Sequence, residues 1–373
     1  MKLNISGFLD DIKNFVHGGK ALGIDIGTAA LKVIEVSKKG DRFQLLNYGL
    51  LQTKEYLEHP NRALQSESLL LDEELAANLL KTLLRETGIK TRNALVALPA
   101  FSSFVTVLDM PSLSLSETEN AVKFQARRVI PLTPNRVLLD WSKVEERENE
   151  RGQKFQKVLL IGIPTDVIDL YKRIMKKAGI RPIAFELESV SLIRAFTSSQ
   201  RAIRGSVDPR PTLYIDIGAE ATNMCIAEGD TMKYGAQTTH GGLYLTHALQ
   251  SSLGVSKPRA EELKKRRGLL GQGAELELST LLLSFLDVII EEVRTTRASY
   301  ETRFGKEVAQ AVCFGGGAHL LGIGEYFGEQ LKLPILKPDI FLDVQYEPGL
   351  ESAMKYLQRE FAVALGSARR YFS

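Results

Sequence analysis

Apolar positions alternate along Leu22 to Glu35, LGIDIGTAALKVIE, up to an Asp-x-Gly crest, and then resume as a second apolar run. Two strands joined by a tight turn are the predicted structure. The same arrangement returns at 213 to 229, LYIDIGAEATNMCIAEG, where Asp216 aligns with Asp25 and Gly218 with Gly27. Self-similarity at this distance predicts two halves that begin alike. A third glycine element, VCFGGGAHLLGIG at 312 to 324, reads as a strand, a turn at Gly315-Gly316-Gly317, and a helical pattern.

Two further regions carry their own periodicity. Between residues 103 and 180 the pattern predicts a small α/β unit. It contains a strand from Ser103 to Asp109 and a helix opened by a capping box at Ser116-x-x-Glu119 and running to about Val129. Hairpin strands follow at Val137–Glu145 and Phe155–Ile163, joined by the charged loop EERENERGQK, and a last helix covers Thr165–Ala178. At the start, Ile5, Phe8, Leu9, Ile12, Phe15 and Val16 follow helical spacing with Asp10, Asp11, Lys13 and Asn14 opposite and Gly18-Gly19 as a stop. One amphipathic helix is expected over 1–20, docked on its own domain or a partner, since Asp10 and Asp11 oppose a lipid-binding face.

Composition narrows the classes. A chain of 373 residues exceeds the length at which single cores stop growing, about 250 to 300, so two or more domains are expected. Net charge is only +3, from 48 basic and 45 acidic side chains, which gives no general field for a nucleic acid. The longest apolar run, Leu278 to Ile290, contains Asp287 and is shorter than the roughly 20 residues of a spanning helix. No signal peptide is visible, so a cytoplasmic chain is expected. Cys225 and Cys313 sit in apolar runs as core thiols, and Trp141 reads as a core anchor. His17, His59, His240, His247 and His319 have no ligand spacing with Cys or carboxylates, which argues against a metal site of their own.

The crests carry the chemistry. Gly27 and Gly218 can take positive φ, bring backbone close to a ligand and aim successive N–H groups at one anion. Thr28 adds a hydroxyl, and Lys32 a positive charge if it faces the cleft. Asp25 and Asp216 would repel phosphate unless a divalent cation lies between them, and facing acids could hold Mg²⁺ through its waters. A single IDIG is compatible with a turn whose Asp caps its own backbone. Two copies in one context favour a phosphate clamp, and the glycine turn at 315–317 fits a nucleoside laid against bare backbone.

Two Asp-x-Gly hairpins followed by a GGG turn resemble the phosphate-one, phosphate-two and adenosine segments of the actin-like ATPase superfamily, over nearly the whole chain. Within it, the chain is similar to the PilM family of type IV pilus assembly proteins, relatives of the division protein FtsA. That similarity rests on GIDIGTAALKVIEV, the 99–141 stretch with KFQARRVIPLTPNRVLLDW, YIDIGAEATN, HGGLYLTHAL, KPRAEELKK, CFGGGAHLLGIGEYF and FAVALGSARR. The resemblance implies an α/β actin-like ATPase fold with two duplicated lobes around a nucleotide cleft and a small inserted α/β subdomain in the first lobe. On it, 21–102 with 181–205 and 361–373 form the first lobe, 103–180 the inserted unit and 206–360 the second lobe.

It also implies bound ATP or ADP with Mg²⁺. Asp25, Gly27, Thr28 and Lys32 would line the first phosphate hairpin, and Asp216, Gly218 and Thr222 the second. Gly241, Gly242 and Thr246 fit the Gly-Gly turn after it, Glu261 and Lys264 match positions facing ribose and adenine, and Gly315, Gly316 and Gly317 would bed the nucleoside. Asp25 and Asp216 would reach the metal through water. Asp216 and Glu220 are the candidate carboxylates for orienting water. Ala219, Glu220 and Ala221 replace the Gly-Gly-Thr of active members, so nucleotide binding is expected ahead of rapid turnover. In the family the inserted unit and first lobe hold a short cytoplasmic peptide of the inner-membrane protein PilN; Phe124, Arg127 and Arg128 are the candidates here. The resulting expectation is a nucleotide-switched scaffold at the inner face of the inner membrane, held through a PilN-like partner and other pilus assembly proteins. An FtsA-like division protein and a small-molecule kinase of the same superfamily are the alternatives. The first lacks an amphipathic tail after GSARRYFS, and the second lacks a convincing substrate base.

Overall fold

The computed structural model describes residues 19–40, 42–52, 72–269 and 276–373. The helix expected before residue 20 lies outside the described residues, as do His17 and His59.

The first half opens with strands β1 (Lys20–Ile26), β2 (Ala30–Lys39) and β3 (Arg42–Gln52), helix α1 (Glu73–Glu86) and strand β4 (Asn93–Leu98). The inserted stretch supplies β5 (Phe104–Pro111), α2 (Leu115–Val129), β6 (Val137–Glu148) and β7 (Lys154–Pro164). Then come α3 (Thr165–Lys177), β8 (Arg181–Leu187) and α4 (Glu188–Arg204). The second half contains β9 (Thr212–Ile217), β10 (Thr222–Glu228), β11 (Thr231–Thr238), α5 (Gly242–Leu253), α6 (Lys257–Arg267), α7 (Leu276–Phe304), β12 (Gln310–Phe314), α8 (Ile323–Leu331) and β13 (Ile335–Leu336). Strand β14 (Val344–Gln345) and helices α9 (Glu351–Leu357) and α10 (Ala362–Arg370) close the chain.

Duplication is visible in the pairing. In the first sheet, ordered β14-β3-β2-β1-β4-β8, an antiparallel β1–β2–β3 meander meets β4 running parallel to β1. In the second, ordered β11-β10-β9-β12-β13, the β9–β10–β11 meander meets β12 running parallel to β9. The α/β architecture with two like halves is therefore the one expected. A separate sheet, β5-β7-β6, carries α2 over its own core of Leu108, Met110, Val122, Ala126, Ile130, Val137, Val158 and Leu160. Trp141 lies half-buried at the margin of that core.

Three local results differ from the sequence pattern. The capping box of α2 is Ser114 with Glu117, not Ser116 with Glu119: Ser114 N–H donates to Glu117 Oε2 at 3.0 Å and Ser114 Oγ accepts from Glu117 N–H. The earlier serine wins because the helix starts two residues sooner, with Thr118, Val122 and Ala126 on its buried stripe. Helix α3, within the stretch assigned to the inserted unit, buries Ile168, Tyr171, Ile174 and Met175 in the main core. Strand β14, within the stretch assigned to the second lobe, pairs with β3 of the first sheet.

The C-terminal helix is buried on every side, from Ala362 to Arg370. Gly366 lets it lie against the Ser191 backbone, where any Cβ would overlap the Ser191 carbonyl. Arg369, 1% exposed, pairs with Asp343 and donates to the Ile340 carbonyl at 2.9 Å. Cys225 and Cys313 are buried free thiols, and burial pushes Cys313 up to about 12, so neither reacts as a thiolate near neutrality.

Candidate functional site

Both crests close in the same way. Gly27 N–H donates to Ala30 O at 3.1 Å and Gly218 N–H to Ala221 O at 2.9 Å. Neither glycine has a positive φ, contrary to the expectation from their sequence context. The closed turn is what asks for glycine: a Cβ on Gly218 would lie 2.9 Å from Ala221 O, and one on Gly27 3.1 Å from Ala30 O. Their N–H groups are consumed inside the turn and do not point at an anion. The next glycine pair behaves likewise, since Gly242 N–H donates to Gly218 O at 2.9 Å and Leu243 N–H to Ala219 O at 2.7 Å. The start of α5 is thereby pinned onto the second crest.

The crests face one cavity of about 400 Å³. Of the residues named from sequence, Asp25, Gly27, Thr28, Lys32, Asp216, Gly218, Glu220, Gly242, Glu261, Lys264, Gly315, Gly316 and Gly317 line it. Thr222, Gly241 and Thr246 do not. Thr222 is fully buried and donates to the His240 carbonyl at 2.7 Å, while Thr246 donates to Glu261 Oε2 at 2.6 Å. Lys264 donates to Gly242 O at 2.8 Å and Thr246 Oγ1 at 2.7 Å and pairs with Glu261 at 2.7 Å. Thr222 and Thr246 thus brace from behind a wall whose inner surface includes Glu261 and Lys264. Gly315 takes φ 82°, and a Cβ there would lie 2.5 Å from Asp216 Oδ1, so the glycine turn and the second acid fit only without a side chain. Gly316 meets nothing within 4 Å, which leaves its face open to the cavity.

Charge is distributed unevenly around this space. Asp25 sits opposite Lys32 in the β1–β2 register and accepts from its ammonium at 2.9 Å. Burial alone would pull Lys32 down, but Asp25, with Asp216 and Glu360 further off, raises it above its usual range. Asp216 sits opposite Asn223 in the β9–β10 register and gains no such cation. Burial, opposed by Lys32 and reinforced by Asp25, pushes its carboxyl up to about 6.

Residues without a motif complete the site. Glu188, the first residue of α4, is buried in the cavity wall; burial and then the charges of Asp25 and Asp216 push it well above the usual carboxylate range. Ala100 N–H donates to its Oε2 at 3.1 Å. Asn223 is buried, and its Oδ1 has no hydrogen-bond partner among the described residues. At the glycine turn the His319 ring stacks on Tyr356 with centroids 4.2 Å apart, and its Nε2 lies 3.4 Å from Glu360 Oε1 and holds that carboxyl low. Asn223 had a sequence signal, being seven residues after Asp216 as Lys32 is after Asp25. Glu188, Tyr356 and Glu360 had none, because only the fold brings them to the crests.

Among the described residues no group of three or more His, Cys, Asp and Glu side chains is placed to hold a metal directly. No described helix is long and apolar enough to cross a membrane. On the inserted unit, Phe124 is 58% exposed with the Arg128 guanidinium 4.9 Å above its ring, and Arg127 is exposed beside them. Leu115, Val129 and Phe155 are further exposed apolar residues of that unit.

Residues 23–372 match the family model described as type IV pilus assembly protein PilM. Among solved structures, a PilM-PilN type IV pilus biogenesis complex superposes with a TM-score of 0.78 at 23% identity, covering 95% of this chain and 98% of that one. The ethanolamine utilization protein EutJ from Carboxydothermus hydrogenoformans gives 0.53 at 15% identity, covering 96% and 94%. MreB5 of Spiroplasma citri, in a structure bound to AMPPNP, gives 0.51 at 15% identity, covering 94% and 95%. The chain thus shares its fold with actin-like proteins.

Proposed function

The chain belongs to the PilM family of type IV pilus assembly proteins, and from that premise we propose that it is an ATP- or ADP-binding scaffold whose nucleotide state changes the surface offered to a PilN-like inner-membrane protein. The observation that carries this reading is the cavity itself, where two like crests and a bare glycine turn converge on one space. A space of this size suits a nucleotide, since ligand pockets run from about 300 to 1,000 Å³.

The donor set fits phosphate with a divalent cation. Lys32 is the cation facing the phosphate end. Asp25 and Asp216 accept only, so water molecules of Mg²⁺ would donate to them. Asn223, buried with an orphaned oxygen, offers a further acceptor on the second crest. Gly315 to Gly317 present backbone to the nucleoside, with Glu261 and Lys264 on the adjoining wall. Bound Mg²⁺ would supply charge neutralisation for the phosphates. Turnover would need a carboxyl group to orient water, and Glu188, held by Ala100 N–H in the cavity wall, is a candidate for that role beside Asp216 and Glu220. With Ala221 in place of a hydroxyl residue, slow or partner-dependent hydrolysis is the expectation.

Phe124, Arg127 and Arg128 are the residues of the inserted unit proposed to meet an extended apolar peptide, and the chain would reach the inner membrane and other pilus proteins through it. Calorimetric titration with a non-hydrolysable ATP analogue, with and without Mg²⁺, tests the first half. Magnesium-dependent binding lost in Lys32→Ala is expected; heat from the variant equal to that from the unmodified chain would remove the reading. Titration with the cytoplasmic N-terminal peptide of a PilN-like protein tests the second, with weaker binding expected for Phe124→Ala.

A further inference from the structure

The inserted unit is fastened to the second lobe along a polar seam. Arg303, near the end of α7, donates to the Val107 carbonyl at 2.6 Å and pairs with Asp109 at 2.9 Å. Lys157 also pairs with Asp109, at 2.5 Å, and lies over the Phe304 ring. Lys306 reaches Glu228 at 2.6 Å and Glu145 at 3.9 Å, Arg147 donates to the Phe304 carbonyl, and Lys233 donates to the Val144 carbonyl. Glu145 pairs with Arg147 at 2.9 Å, and Arg303 Nε is buried there without a hydrogen-bond partner among the described residues. One face of the inserted sheet has its own apolar core, while Val107, Val144, Leu159, Ile161 and Ile163 on the other face join the main core. Charged side chains rim this contact around a patch in which Val105 meets Gly235 of β11, and an interdomain contact of such mixed character permits relative motion of the parts it joins.

The root of this unit lies at the cavity. In the turn Ala100–Ser102, Ala100 N–H donates to Glu188 and Phe101 lines the cavity. The Phe101 carbonyl accepts from Gln237 Nε2 of the second lobe at 3.1 Å. One short turn therefore touches the cavity carboxyl, the ligand space and the opposite lobe. We propose that the inserted unit is a strap latched to the second lobe, and that latch closure and cavity occupancy are one coupled equilibrium carried through Ala100 and Phe101.

This rests on the reading of the cavity as a nucleotide site. A closed latch holds Phe101, Glu188 and the second lobe in one arrangement, so the cavity is organised before the ligand arrives. Opening it lowers affinity by the fraction of chains left competent. Coupling is reciprocal, so nucleotide favours the closed strap in equal measure.

The test uses the full chain and residues outside the cavity. In Arg303→Ala/Lys306→Ala, affinity for a non-hydrolysable Mg-ATP analogue is expected to fall at least fivefold. In Asp109→Cys/Arg303→Cys, bridging with a short bis-maleimide is expected to restore the lost affinity, and the analogue to speed bridging. The native thiols are buried and do not compete. Affinities within twofold in the open and bridged chains, with the unmodified chain binding normally, would overturn the coupling and leave the nucleotide reading standing. An unmodified chain that binds no analogue would instead remove the nucleotide reading, and the coupling with it. Thermal unfolding of each variant identifies any that fail to fold, and Arg303→Lys, which keeps the charge, is expected to bind as the unmodified chain does.

Discussion

The two Asp-x-Gly hairpins share a turn, a register and a place at the cavity, yet their acids live in different electrostatic surroundings. Seven residues after Asp25, on the neighbouring strand, stands Lys32; seven after Asp216, in the equivalent position, stands Asn223. One acid is compensated by a buried cation, and the other is left to rise to about 6. A duplicated element thus keeps its backbone while one cross-strand substitution divides the work between an ion-paired arm and an arm whose carboxyl changes charge near neutrality.

The largest effect is expected from making the first hairpin like the second. Lys32→Asn would leave Asp25, Asp216 and Glu188 around a cavity without their shared cation. Removing one partner of a buried pair costs about 3–5 kcal/mol, to be read from urea unfolding at pH 7.5, and nucleotide binding should vanish with it. A loss below about 1 kcal/mol would mean that Asp25 does not depend on the lysine.

Next comes Asp216→Asn. The folded carboxyl titrates near 6, above its ordinary 3.8, so below about pH 4 both folded and unfolded chains hold the proton. As pH rises through 6 the unfolded chain has released it while the folded chain is only then forced to, and stability is lost. The variant lacks this term. Its stability relative to the unmodified chain should grow by about 2–3 kcal/mol between pH 4 and 7.5 in parallel denaturation series; a flat difference would refute the shift.

Asn223→Lys makes the second hairpin like the first. A cation opposite Asp216 should lower that carboxyl and remove about 1–2 kcal/mol of the pH-dependent penalty, seen as a shallower stability profile over the same range. The smallest effect marks the contrast with a region outside the hairpins. Ser114→Ala removes the α2 cap and should cost about 1 kcal/mol in thermal unfolding, with nucleotide affinity unchanged.

Much of this was legible before any coordinates. Apolar runs on each side of an Asp-x-Gly crest marked the hairpins, whose inner strands the structure buries on both faces. The repeat of the crest predicted the second sheet, and the glycine triplet marked a turn of bare backbone after a strand; that Gly315 packs against Asp216 is known only from the structure. Thr222, Gly241 and Thr246 carry the same motifs but end behind the wall, since a pattern along the chain does not say on which side of a turn a hydroxyl points. The cap of α2 was misplaced by two residues for a similar reason: Ser114 and Ser116 both satisfy the local rule, and the buried stripe of the helix chooses between them.

The amino-acid sequence by itself therefore determined the two like halves, the crests and the glycine turn, since these depend on local periodicity and on backbone space. Only the tertiary structure decided the electrostatics and the coupling. Glu188 becomes a cavity acid because α4 begins beside the crests, and Asp216 rises because burial and a neighbouring charge converge on it. Arg303 meets Asp109 across 194 positions of chain because the inserted sheet packs against the end of α7. Charge acts through space, and no spacing along the chain records which residues will share it.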